Sequence, residues 1–416
     1  MEANAFFLWA TAVTGAAAGF LFWNLSARFY STADVGVASA AISLMLLLSG
    51  ITSLGMGTGI VRFLHTEQDH REMVNSALTF TLITSVLFGT VCVGGIPIWS
   101  PGLDALRQPA FFLIFLLLLV STTHNLIFQM VFLSLKRASA TLGMVILLNA
   151  VRLGMLVILR IEGSQGIVFS LAIATLLSNL LAWGLLGRLM PGYRPAAALS
   201  GRILRGLIPY SFVSGLSDFL ARIPAMMAPL LALEQLGAPA SAQVYIAWMI
   251  GSLVLSPSAS LAQSAFSEGS SNPAGLRAVI RRSTLYSMMI TVGIAAAVFP
   301  LSGWLMGLFG PDYRAAAPFL QWLCAAAPCF ALNGMFASAF RVQNRLGLLI
   351  LVNAVVIAVF VGPQTFLLKT SGLNLTGVAW MVAQLLAVLI CLGAYLRGRP
   401  ADRSAGPMPA AEGAPD

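Results

Sequence analysis

Apolar side chains run along this chain in long stretches separated by short joints rich in Arg, Lys, Pro, Gly and Ser. A helix needs about 20 apolar residues to cross a hydrocarbon core about 30 Å thick, so each stretch predicts one membrane pass. Twelve passes are predicted, near 5–27, 35–61, 76–99, 110–135, 138–160, 167–189, 206–233, 241–266, 278–307, 317–340, 345–367 and 374–396. The strands of a membrane barrel would instead alternate apolar and polar residues over segments of about 10, and no such alternation is present. The expected fold is all-α and integral to the membrane. Twelve passes use about 240 residues, which leaves no room for a soluble domain between them.

The first span has no basic residue ahead of it and exceeds a signal-peptide core, so it is expected to be retained despite the small residues Ala16, Ala17 and Ala18. The run 397–416, rich in Pro, Ala and Gly, has no apolar face to bury and is expected to be a disordered tail. Composition agrees: 58% of residues are hydrophobic and 9% charged, against about 25% charged in soluble domains. Cys92, Cys324, Cys329 and Cys391 all fall within apolar stretches without metal-ligand company and read as small buried hydrophobes.

The net charge of +9 changes meaning once it is placed along the chain. With the N-terminus inside, the inner joints hold Arg62, Arg71, Lys136, Arg137, Arg188, Arg194, Arg202, Arg205, Arg277, Arg281, Arg282, Arg341, Arg345, Arg397, Arg399 and Arg403. The outer joints hold Arg28, Arg107, Arg160, Arg314 and Lys369. Sixteen against five predicts both termini in the cytoplasm of a multi-pass cytoplasmic-membrane protein. The basic balance therefore speaks of topology and not of nucleic acid, which is not an expected partner.

An internal repeat divides the passes. Leu142 to Val151 and Leu346 to Val355 agree at seven of ten positions at an offset of 204. Pro101-Gly102 with Pro109-Ala110-Phe111 is echoed by Pro311-Asp312 with Pro318-Phe319. Six spans per half is an even number, so the halves enter the membrane in the same direction. The expectation is two parallel six-helix bundles around a central cavity, 1–189 and 206–396, joined by a cytoplasmic linker over 190–205.

Ionisable groups at membrane depth cost about 2.5–3.5 kcal/mol on insertion scales and should face an interior or a wet cavity. His124, Arg152, Asp218 and Arg222 are the candidates. Asp218 and Arg222 are four apart on one helix and are expected to pair. The same helix carries Ser211, Ser214 and Ser217, then Pro224 and Pro229, a polar stripe leading into a bend suited to gating; a plain structural ion pair is the alternative. Arg152 has no acidic residue within a turn, and the repeat places Val356 opposite it; snorkelling toward Arg160 is the alternative to a cavity cation. His124, beside Asn125, is a candidate for a sugar hydroxyl or a proton, or else a helix-to-helix hydrogen-bonding group. Arg62 and Arg28 close the second and first spans as mouth residues. Two Arg against one Asp favours an anionic ligand, and guanidinium suits phosphate through paired planar hydrogen bonds.

No nucleotide-binding P-loop occurs, and His65 and His70 lie in a charged joint, so no cofactor, metal or catalytic centre is expected. Phe20 to Gly36, Leu54-Gly55 through Val61-Arg62-Phe63, Ser217-Asp218, Val244 to Trp248, Phe266 to Gly269 and Phe309 to Tyr313 form a set of stretches spread over nearly the whole chain. Together they resemble polysaccharide biosynthesis proteins of the oligosaccharide-flippase type, in the superfamily that also holds multidrug and toxin extruders and lipid II flippases. The resemblance implies outward movement of a polyprenyl-diphosphate-linked glycan by alternating access, with membrane lipid and glycan-assembly proteins as partners. It carries a diphosphate-binding role to Arg62 by motif position; Arg152 and Arg222 join by the depth argument. The alternatives are a cation or drug antiporter centred on Asp218 and a polytopic glycan polymerase or ligase.

Overall fold

The computed structural model describes residues 2–53, 55–64, 70–159, 162–271 and 275–397. The expected tail from 398 onward, His65 and Arg160 lie outside them. Twelve helices are long and apolar enough to cross a membrane, and no strand occurs among the described residues.

The N-terminal half comprises α1 (Glu2–Phe29), α2 (Thr32–Ser53), α3 (Met56–Phe63), α4 (His70–Gly94), α5 (Ile96–Trp99), α6 (Pro109–Ser134), α7 (Ala138–Ile158) and α8 (Gly163–Leu189). The C-terminal half comprises α9 (Gly201–Leu236), α10 (Ala238–Ser271), α11 (Leu276–Gly307), α12 (Ala317–Val342), α13 (Leu346–Ser371) and α14 (Leu373–Leu396). The halves are wired alike. The first and fifth spans pack together in each, as α1 on α7 and α9 on α13; so do the fourth and sixth, as α6 on α8 and α12 on α14. The two Pro echoes fold alike too, into 3-10 turns at Pro101–Arg107 and Pro311–Ala316.

Three spans depart from the sequence expectation; the third, expected over 76–99, begins already at His70 and gives way after Gly94 to the short α5. The second, expected as one helix over 35–61, stops at Ser53 and restarts at Met56, because Gly55 adopts φ 69. A side chain there would run into the Ser211 carbonyl of α9, and a Cβ on facing Gly215 would lie 2.9 Å from the Gly55 Cα. Small residues thus let α3 and α9 approach backbone to backbone, the usual device where lipid supplies no hydrophobic drive. The seventh span begins earlier than expected, at Gly201, with Arg202, Arg205 and Gly206 exposed. Its apolar stretch runs over Gly215–Leu236, so Asp218 stands in the first turn of that stretch and not at its middle. The segment before α9 is tied to α4: Asn75 Nδ2 donates to the Arg194 carbonyl at 3.0 Å, and the Ser200 amide donates to Ser76 Oγ at 3.1 Å.

The halves meet differently at the two ends. On the face opposite the termini, Asn24 Nδ2 donates to the Leu308 carbonyl at 2.8 Å and Thr32 Oγ1 to Asp312 at 2.9 Å. Ser100 Oγ and the Gly102 amide both donate to Glu234, at 2.5 and 3.0 Å. The Trp23 and Tyr245 rings lie 4.5 Å apart, and those of Phe20 and Phe309 5.1 Å. Toward the termini, contact between the halves runs through α2, α3 and α4 against α9. There the second half of α10 leaves Ser252, Ser256, Ser260 and Ser264 exposed.

Candidate substrate pathway

Arg152 on α7 lies half-buried beside α1. Its guanidinium carbon sits 5.1 Å from the centroid of the buried Phe22 ring, and a Cβ on Gly19 would lie 3.7 Å from its Nη2. Gly19 thus makes the room and Phe22 offers a cation–π face, which replaces part of the lost hydration. Among the described residues no carboxylate pairs with Arg152, and its buried Nε has no hydrogen-bond partner. The next residue along α1 is Trp23, whose ring meets Tyr245 of α10, so Arg152 stands beside the seam between the halves.

Arg222 reaches the seam from the other side. Gly215 and Phe219 of α9 face α3 and α2, since Gly215 meets Gly55 and a Cβ on Gly50 would lie 2.5 Å from the Phe219 ring. Arg222 follows them at helical spacing, so it shares that face, and it is exposed. The expected Asp218–Arg222 pair does not form. Asp218 binds Arg341 of α12, because the helix face that carries Asp218 turns into the C-terminal bundle. Arg341, expected among the joint cations, stands instead in the last turn of α12, from where its guanidinium reaches back to α9.

The other expected site residues are spread apart. Arg62 ends α3, exposed, with its guanidinium 5.4 Å from the Phe63 ring. Arg28 is exposed in the last turn of α1, on the face opposite the termini. His124 is buried between α6 and α4, its Nε2 bonded to the Leu78 carbonyl at 3.0 Å, which ties two helices within one bundle. Pro224 is buried in α9, which also contains Pro209 and Pro229. Of the serine stripe, Ser211 is buried against Gly59, and Ser217 accepts from Asn353.

Two features escaped the sequence reading. One is a recess of about 250 Å³ inside the C-terminal bundle, walled by α9, α10, α12, α13 and α14. Asn333 Nδ2 donates to Gln384 Oε1 at 2.8 Å, and Asn353 Nδ2 donates to the Ser217 carbonyl at 3.0 Å; all four residues line it. Amides standing alone in apolar spans were the signal. The other is the exposed serine row of α10, whose repeat of four was legible. Ser252, Ser256 and Ser260 donate to carbonyls of their own helix at 2.7, 2.9 and 3.0 Å, which keeps their lone pairs available to solvent or solute.

Two like-wired bundles, sealed against each other at one face and joined at the other through a glycine contact, have the fold of a two-bundle membrane transporter. Residues 25–318 match the family of polysaccharide biosynthesis proteins, and the chain belongs to it. A MOP-superfamily transporter from Pyrococcus furiosus, described as having a binding pocket of reverse polarity, is similar at a TM-score of 0.65 and 15% identity, over 95% of each chain. A multidrug resistance MATE family transporter is similar in its inward-facing conformation at a TM-score of 0.61 and 15% identity, over 95% of this chain and 94% of that one. Its outward-facing counterpart gives 0.61 and 16%, over 93% and 94%. These likenesses establish the fold, and their equal scores leave the conformation to be read from the chain's own contacts. No curated protein matches.

Proposed function

We propose that the protein is a flippase that carries a polyprenyl-diphosphate-linked oligosaccharide from the inner to the outer leaflet of the cytoplasmic membrane by alternating access, with both termini cytoplasmic. The charge balance within the spans carries this reading. Asp218 is held by Arg341, while Arg152 and Arg222 stand at the seam without a carboxylate partner among the described residues. An uncompensated guanidinium in a half-buried site gains most from an anion that restores what desolvation removed, and a diphosphate does so with paired hydrogen bonds. The polyprenyl tail stays in lipid while the headgroup enters from the cytoplasm, where Arg62 stands and the α10 serines are exposed. The seal around Glu234 and Asp312 then opens on the outer face, to which Arg28 belongs. Bending at Pro224 accommodates the change, and the Asp218–Arg341 pair is its gate or ion-sensing element. Two charges moving outward gain about 4.6 kcal/mol at about 100 mV, inside negative, at 2.3 per charge.

The family assignment supports this reading. The drug or cation antiporter is favoured by one observation, the fold shared with multidrug transporters, but it needs an available carboxylate, and Asp218 is engaged. A polymerase or ligase needs an acid–base pair at the outer face, where Glu234 and Asp312 instead hold the halves together. The test is transbilayer movement of a fluorescent diphosphate-linked sugar lipid in liposomes bearing the purified protein. Movement that falls in Arg152→Ala is expected. No movement in wild-type liposomes, or export of an organic cation abolished by Asp218→Asn, would overturn the reading.

A further inference from the structure

A groove of about 560 Å³ opens on the C-terminal bundle where the end of α14 passes the start of α13. Arg345, Leu389, Ile390, Gly393, Ala394 and Arg397 line it. The five that belong to α14 and its cap recur at helical spacing, so they share one face. Leu389 lies about 12 Å further along the axis than Arg397, at about 1.5 Å per residue, so the groove is charged at its mouth and apolar toward the middle of the span. α14 packs on α12 and α13, and Leu389, Leu392 and Leu396 are exposed, which turns this side toward lipid and away from the seam of Arg152 and Arg222.

The mouth of the groove is held in place. Arg345 Nη1 donates to the Ala394 carbonyl at 3.3 Å, one of those that the end of α14 leaves without a helical partner. Its guanidinium carbon lies 5.2 Å from the centroid of the buried Phe340 ring. Phe340 stacks on Phe336 at 6.2 Å, and Phe336 meets Tyr395 at 5.8 Å, so an aromatic ladder from α12 to α14 fixes the cation. The rest of the planar fork has no partner among the described residues and stays accessible. Arg397 caps α14 and is exposed, and no carboxylate pairs with either arginine among the described residues. Beyond the mouth, a Cβ on Gly393 would meet nothing within 4 Å, so the space beside it is open.

Two uncompensated guanidiniums above an apolar channel select an amphiphile: a phosphate, which takes paired hydrogen bonds from the fork, and a hydrocarbon chain below it. A soluble phosphate would leave Leu389 and Ile390 unused, and a zwitterionic head would bring its own cation to the arginines. We propose that this groove binds an anionic phospholipid of the leaflet on the side of the termini, its phosphate between Arg345 and Arg397 and one acyl chain laid along Gly393, Ile390 and Leu389. The site rests on the membrane fold and on the groove's own side chains, not on the flippase reading. Arg345 follows Arg341, which holds Asp218 of α9, so the bound lipid ties the joint between α12 and α13 to α14 close to that pair.

The test is native mass spectrometry of the full chain in detergent, with phosphatidylglycerol or phosphatidylcholine of the same acyl chains added. Phosphatidylglycerol is expected to stay bound under activation that strips phosphatidylcholine. Arg345→Gln and Arg397→Gln are each expected to weaken its retention about five-fold, the worth of one cation at an anionic lipid surface. Gly393→Phe, which fills the channel and keeps both charges, is expected to weaken it at least as much. Arg205→Gln, which removes an exposed cation elsewhere at the same end, leaves it unchanged. Each variant is compared with wild type at matched melting behaviour, so loss of fold is not mistaken for loss of site. Equal retention of the two lipids, unchanged retention in Gly393→Phe or in both arginine variants, or an equal loss in Arg205→Gln would overturn the proposal. Displacement of the lipid by glycerol 3-phosphate would make the site one for a free anion, and tighter binding of a diphosphate-linked sugar lipid, lost in Arg345→Gln, would make it a substrate entry; either outcome also overturns it. Failure of lipid movement in liposomes leaves the groove untouched, so the two readings fail separately.

Discussion

The two halves share a wiring plan and differ in what fills it. Asn149 of α7 and Asn353 of α13 are the same position of the repeat, yet Asn149 Nδ2 turns back to the Val145 carbonyl of its own helix at 2.7 Å, while Asn353 reaches across to α9. One turn further on, the N-terminal half has Arg152, laid over Phe22, and the C-terminal half has Val356, which lines the recess. Asn125 and Asn179 bond at 3.0 Å between α6 and α8, just as Asn333 and Gln384 bond between α12 and α14. In the N-terminal half that amide is further shared with Ser178 and Gln129, so its polar capacity is consumed within the bundle. The Asn333 oxygen is left over. A duplicated bundle has thus diverged into one that presents charge at the seam and one that keeps a neutral interior.

The sharpest break in the comparison lies where α2 gives way to α3. The C-terminal half passes the same register inside continuous α10, with Pro257 within the helix. Gly55→Val should therefore be the most damaging single change. It forces a β-branched residue into φ 69 and drives a side chain into the Ser211 carbonyl, at a cost of about 3 kcal/mol or more. The measurement is the fraction of monodisperse protein left after heating in detergent. Pro257→Ala is expected to cost far less, and equal losses would mean that the two halves tolerate change alike at this level.

Next in size is the charge itself. Arg152→Ala should lower movement of the diphosphate lipid about 100-fold, taking two lost charge-assisted hydrogen bonds together. Arg152→Lys should recover part of it, because a point charge lacks the planar fork. Val356→Ala, its repeat mate, should stay within about two-fold, since trimming a recess wall removes no phosphate contact. A matching loss in both would show that the position matters for packing and not for charge.

Asp218→Asn comes third. It leaves the Arg341 guanidinium, 27% exposed, without its carboxylate. Partial exposure screens the pair, so the stability loss should be about 1 kcal/mol, with lipid movement reduced about ten-fold by misplacement of α12 against α9. Exchanging the charges, Asp218→Arg with Arg341→Asp, should restore much of the stability in a double-mutant cycle. Failure of that rescue would assign Asp218 to a role beyond its partner.

Much of this was legible in the chain before any coordinates. Length and hydropathy are enough for twelve helices because a bilayer admits few alternatives. The repeat was legible because both halves keep Leu-Gly and Asn-Ala-Val at the same depth. Pairing across helices was not. Asp218 had two arginines to choose from, and helical spacing favours Arg222, but the choice is made by which face of α9 looks into the bundle, a rotation that sequence does not encode locally. The recess was hidden for a similar reason. Its polar groups come from five helices, each contributing between one and three residues that stand apart in the sequence.

The smallest expected effect concerns how each half turns its first corner. Between α1 and α2 the buried Tyr30 hydroxyl donates to the Leu156 carbonyl of α7 at 2.9 Å. Between α9 and α10 the corner is made by Gly237 at φ 92, with no side chain to anchor it. Burial, aided by the nearby Asp34 carboxylate, pushes the Tyr30 phenol up to about 12. The unfolded chain loses this proton first, near pH 10, so the folded state is progressively disfavoured as pH rises from there toward 12. Tyr30→Phe removes that contribution, along with one neutral hydrogen bond. The variant should therefore melt slightly lower than wild type at pH 8 and fall away less steeply above pH 10. Tyr193, buried and likewise raised to about 12, titrates in the same window, so some alkaline slope persists in the single variant. An unchanged slope in Tyr30→Phe would mean that the first corner is held by backbone geometry alone, as the corner at Gly237 is, and the two halves would then differ only in their interiors.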